Sequence, residues 1–104
     1  MTETHRVLGD GTESGSCWVE FKSSGYPFKL QRQLKEARDD VSVISLIVPF
    51  VQTCHLPTVT GGVLTTVLSI DDLSEVDEAT VVLLIKEFYA FRQERMYSPL
   101  SPNA

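Results

Sequence analysis

The sequence holds no pair of cysteines or histidines at the close spacing that anchors a zinc site. His5, Cys17, Cys54 and His55 are its only cysteines and histidines, and they would have to converge from distant points to ligate an ion. No metal or other cofactor is expected. "TGG", Thr60 to Gly62, lacks the lysine and the spacing of a phosphate loop, which removes nucleotide binding by that route. A basic excess is missing too. With a net charge of -5 and a pI near 4.9, the chain has no general attraction for phosphate backbones, so nucleic acid is not an expected partner.

Long apolar runs are also lacking. The longest, Val41 to Cys54, is fourteen residues interrupted by Ser, Gln, Thr and Pro, short of the roughly 20 that cross a bilayer. It reads as a core element rather than a membrane anchor. The opening "MTETHRVLGDGTESGS" has neither a basic n-region nor an apolar h-region, so an export signal is not expected. Two cysteines in such a chain read as reduced thiols in a cytosolic setting, with a Cys17–Cys54 bridge left open.

What is present fits one domain. A length of 104 residues with 42% hydrophobic and 22% charged residues suits a modest single core and argues against wholesale disorder. Residues 1–16 mix Gly, Ser, Thr and acids without apolar periodicity and read as a flexible N-terminal arm. Residues 17–97 read as the globular domain, and 98–104, "SPLSPNA", as a flexible C-terminal tail.

Within the domain, "CWVEFK" alternates Cys17, Val19 and Phe21 against Trp18, Glu20 and Lys22, as a half-buried strand does. Pro27 suits a first helical turn, and Leu30, Leu34 and Ala37 continue an amphipathic helix over 29–38 with a basic outer face. Asp39 and Asp40 break it and can cap the next element. Val41, Ile44, Ile47, Val48, Val51 and Cys54 follow a helical stripe, although their β-branched content also suits a buried strand. Pro49 is excluded from central strands but only kinks a helix, so the expectation is a helix bent near Ser45 to Pro49. Pro57 and Gly61-Gly62 punctuate a loop or a tight hairpin over 59–68.

Ser69 to Asp72 and Ser74 to Asp77 each read S-x-x-D, a helix-start pattern. From Glu78 onward Val81, Leu84, Ile85, Phe88 and Phe91 form a wide apolar stripe, flanked by Val82 and Tyr89. The resulting fold expectation is mainly α with a short N-terminal β element: a small three- to four-helix domain with a kinked central helix.

No catalytic constellation emerges from these elements, and the chain is not expected to be an enzyme. Neighbouring Cys54 and His55 would diverge by about 100° on a helix, too far for a thiolate–imidazole pair. Asp71, Asp72, Glu75, Asp77 and Glu78 are explained as helix-start acids by capping and dipole. Charge is nevertheless uneven. Residues 17–38 carry Lys22, Lys29, Arg32, Lys35 and Arg38 against Glu20 and Glu36, whereas residues 39–91 carry eight acids against Lys86 alone. These segments read either as solvated helix faces that pair with each other or as a bipolar surface suited to self-association or a charged partner. Candidate partner-binding residues are basic Lys29, Arg32 and Lys35, acidic Asp71 and Asp72, and aromatic Phe88, Tyr89 and Phe91. The last helix carries more apolar surface than its neighbours can cover on this reading, so a homo-oligomer is expected, with the acidic 71–78 region beside a neighbour's basic face.

Three pieces in order, "CWVEFK", "DDVSVISLIVPFVQTCHL" and "LSIDDLSEVDEATVVLLIKEF", resemble small tail-module proteins of long-tailed bacteriophages, of the tail-assembly-chaperone type. The likeness runs from about Cys17 to Arg95. Cys54-His55 departs from it, standing where a tryptophan and a polar residue would follow the helix. The resemblance implies a non-enzymatic protein in the host cytoplasm that coats apolar stretches of the tape-measure protein until tube subunits polymerise around it. It also gives Pro49 a task, bending a core helix so that a groove opens beside it. The alternatives are a small virion component at the tail or head–tail junction, and a phage-encoded regulator of a host protein.

Overall fold

The alternation in "CWVEFK" does produce a strand, and that strand belongs to a larger sheet than periodicity implies. A computed structural model of the chain describes residues 4–8 and 17–96. Four strands, β1 (His5–Val7), β2 (Trp18–Phe21), β3 (Val51–Pro57) and β4 (Val63–Leu64), form an antiparallel sheet in the order β1-β2-β3-β4. Helices α1 (Lys29–Glu36) and α2 (Asp40–Ile47) lie between β2 and β3 in sequence, and α3 (Glu78–Met96) follows β4. The fold is a mixed α/β domain. The expectation of a mainly α domain with one short β element is therefore corrected. Part of the expected arm is also strand, since His5–Val7 pairs with Trp18–Glu20. The rest of the arm, 1–3 and 9–16, and the expected tail 98–104 lie outside the described residues.

The correction centres on Pro49. Asp39, in extended conformation, caps α2 by accepting from the Ser42 N–H at 2.9 Å. The helix then runs only to Ile47, where a single 3-10 turn, Val48–Phe50, takes in Pro49 and delivers an extended Val51. In a continuing helix residue 49 would donate to the carbonyl of Ser45, and proline has no N–H to give. The element therefore stops rather than bends.

Val51 and Cys54 still point the same way three residues apart because β3 carries a bulge. Glu20 pairs with Thr53 but Phe21 pairs with Val51, which leaves Gln52 as an extra, exposed residue. A bulge shifts strand parity by one, so a bulged strand imitates the i, i+3 spacing of a helix.

β3 returns through a hairpin whose tip is closed by Thr58 N–H to Gly62 O at 2.9 Å, with Gly61 at φ +99. That left-handed conformation favours glycine. The segment 59–68 is thus hairpin at its start. A 3-10 turn at Ile70–Leu73 follows, where Asp72 Oδ2 accepts from the Leu68 N–H at 2.8 Å and from Ser69 N–H at 3.3 Å. The start of α3 is capped by Asp77, whose Oδ1 accepts from Ala79 N–H at 2.8 Å, while Ser74 Oγ donates to Asp71 O.

All three helices cover one face of the sheet. Val19, Phe21, Cys54 and Leu56 from the strands pack with Leu30, Leu34, Ile44, Ile47, Leu84, Phe88 and Phe91 from the helices in one buried cluster, which Leu8 joins. Phe21 lies edge-on to Phe88 and tilted against Phe91, each at 5.2 Å between ring centres, an arrangement that aromatic quadrupoles favour.

Candidate interaction surfaces

Among the described residues no polar or charged side chain is fully buried, and no three His, Cys, Asp or Glu side chains are placed to hold a metal ion. Cys17 and Cys54 are free thiols. Burial pushes the Cys54 thiol up to about 11, with the nearby Cys17 adding to the effect, and burial also pushes Cys17 up. Raised thiols are poor nucleophiles because the thiolate is the reacting species. Cys54 and His55 are neighbours on a strand, not a helix, so their side chains leave opposite faces of the sheet. Cys54 lies in the core with Sγ 3.5 Å from Leu64 O, and His55 lies outside.

The outer face of the sheet carries a ladder of rings. His5 of β1 lies against Trp18 of β2 at 4.7 Å, and Trp18 stacks on His55 of β3 at 6.2 Å. Half-exposed Val7 and Val63 belong to the strands at the two edges. Among the described residues no helix covers this face. Sequence alternation placed Trp18 on the side of Glu20 and Lys22 without deciding which side faces out, and His5 and His55 join it only through strand pairing.

On the helical side, Lys29, Arg32 and Lys35 stand together along exposed turns of α1, as expected. With Phe28 and Gln31 they border a shallow recess of about 310 Å³. Phe28 is 87% exposed, and sequence reading missed it as a surface anchor. The signal was its place, directly after Pro27 and ahead of the first buried residue of α1.

A larger cleft of about 790 Å³ opens where α2 and α3 begin. Val41, Leu73, Val76 and Val82 give it an apolar floor, and Asp40 and Glu78 lie at its edge. Asp71 and Asp72 are exposed on the adjoining 3-10 turn, so acidic groups gather on this side. Val41 is 64% exposed.

The aromatic candidates of the last helix divide. Phe88 and Phe91 are both 0% exposed, held against Phe21 and Tyr26 within the same chain. The sheet that periodicity did not foresee covers the stripe, so these two rings do not present a surface. Tyr89, 38% exposed, stands on the flank beside Arg92 and α1.

Arg6 and Arg95 close the remaining edges. Arg6 donates from Nε to Glu87 at 2.7 Å and from both Nη atoms to Glu94 at 2.8 and 2.7 Å, fastening β1 to α3. Arg95 lies 4.4 Å over the Tyr26 ring. No helix among the described residues is long and apolar enough to cross a membrane. No family model matches the chain, and neither a curated protein nor a solved structure matches it.

Proposed function

We propose that this chain is a non-enzymatic protein-binding module of the tail-assembly-chaperone kind, acting in the host cytoplasm on apolar stretches of a tape-measure protein. The observation that carries the binding reading is the sheet face that no described helix covers, where Trp18 lies between His5 and His55 on the side that also holds Val7 and Val63. Aromatic side chains anchor protein interfaces because they bury a large area at low entropic cost. An elongated apolar partner lying across such a face would be shielded from water along its contact. The phage assignment comes from the sequence resemblance alone. A groove beside a bent helix no longer supports it, because Pro49 ends α2.

The test is affinity capture of the tagged chain from cells in which the phage is assembling, with Trp18→Asp as the control. Recovery of tape-measure protein by the parent chain and its loss with Trp18→Asp is the expected result. Equal recovery with both chains, or recovery with neither, overturns the reading. Mass spectrometry of purified particles should lack the chain, and its retention would favour the virion-component alternative.

A further inference from the structure

A second, separate pair of surfaces fits a partner that is present whenever the protein is. We infer that the chain self-associates head to tail, with Phe28 and the basic face of α1 from one copy seated in the acidic-edged cleft of the next. This goes beyond the binding reading above and does not depend on a foreign partner.

The knob stands on a fixed stretch of backbone. Pro27 and Phe28 form the turn that starts α1: Leu30 N–H donates to Pro27 O at 3.0 Å and Gln31 N–H to Phe28 O at 3.1 Å. Phe28 itself has helical backbone angles, φ -58 and ψ -32. The helical turn fixes the backbone that carries this 87% exposed ring, so docking need not order the backbone as well, which lowers the entropic cost of association. Lys29, Arg32 and Lys35 surround it with positive charge.

The cleft matches it in both respects. Its floor of Val41, Leu73, Val76 and Val82 is apolar, and Asp40 and Glu78 put negative charge at the edge. The match extends to the segments as wholes, because residues 17–38 are net basic and residues 39–91 strongly acidic. Complementary charge orients the encounter, while the apolar contact supplies most of the affinity.

One chain cannot satisfy itself. Phe28 precedes α1, whereas Asp40 and Val41 follow its far end, so the eight-residue helix holds knob and cleft about 12 Å or more apart. A contact between two different patches is heterologous. It leaves a knob free at one end and a cleft at the other, and so continues into a chain or closes into a ring.

Sedimentation velocity of the full chain across a concentration series tests this. The parent protein should gain mass with concentration. Phe28→Ser and Val41→Lys, both at exposed positions, should each weaken association at least about tenfold with circular dichroism unchanged. Mixing the two is decisive. The Phe28→Ser chain keeps an intact cleft and the Val41→Lys chain an intact knob, so the mixture should form a 1:1 dimer and stop there. A parent chain that stays monomeric throughout, oligomers that neither substitution weakens, or a mixture that remains monomeric would each overturn the inference. None of these outcomes depends on capture through the sheet face.

Discussion

Arg6 joins the edge strand to the end of α3 through two carboxylates, with its own side chain only 11% exposed. Its hydrogen bonds hold the Glu94 carboxyl below the usual carboxylate range. A depressed folded value contributes stability above the unfolded pKa, about 4.3 for glutamate, and that stability is lost as pH falls through the folded value. With Glu94 about half exposed, solvent screens the pair, so replacing Arg6 by Met should cost only about 0.5–1.5 kcal/mol at neutral pH in urea unfolding and flatten the acid-side dependence. An unchanged acid limb in the variant would count against this account. Tyr26 behaves in the opposite sense. Burial pushes its hydroxyl up to about 12, with Arg95 pulling the other way, and the hydroxyl donates to Lys22 O at 2.7 Å. Its contribution is complete below the unfolded value of about 10 and declines as pH rises toward the folded one. The tyrosinate absorbance lost in Tyr26→Phe should therefore be absent at pH values where free tyrosine is already ionised.

Capping and strand parity decide matters at the scale of elements. Asp39 starts α2 by taking the Ser42 N–H, which also holds its own carboxyl below the usual range. Asp39→Ala should lower Tm while Asp39→Asn, which keeps an acceptor, should retain most of it. The bulge at Gln52 makes a sharper prediction. Removing Gln52 would leave Val51 opposite Phe21 in a regular ladder, so the deletion should still unfold cooperatively in urea. Removing His55 instead would turn Leu56, 1% exposed, toward solvent, because a slip of one residue reverses every side chain beyond it. That deletion should abolish cooperative unfolding. Similar behaviour of the two deletions would mean that the bulge is not what sets the register.

For the whole molecule the central question is which apolar surface is core and which is interface. Phe88 lies at the contact between sheet and α3, with 0% exposure. Phe88→Ala should cost about 3–5 kcal/mol, a large share of a total stability that is about 5–15 kcal/mol in domains of ordinary size. It should act on the monomer, at protein concentrations too low for association. The earlier expectation that Phe88 and Phe91 face a neighbouring chain is thus replaced by a core role, and exposed Phe28 and Val41 become the positions where association is read.

Several features were legible in the residues alone. The strand at Trp18–Phe21, the amphipathic α1, the acidic turn at Ser69–Asp72 and the apolar stripe of α3 all follow from local alternation, capping and helical period. Each depends on interactions within a few residues of chain, which is why a linear pattern records them. The fate of Val51 to Pro57 could not be read that way. Those residues carry apolar groups at a spacing that serves a helix or a bulged strand equally, and Pro49 only marks where the first element must end. Pairing with Trp18–Phe21, thirty or more positions earlier, made them a strand. That same sheet buried Phe88 and Phe91, turned His55 away from Cys54 and set Trp18 between two histidines on the face opposite the helices. Contacts between segments distant in sequence have no local periodicity, so only the tertiary structure could decide them.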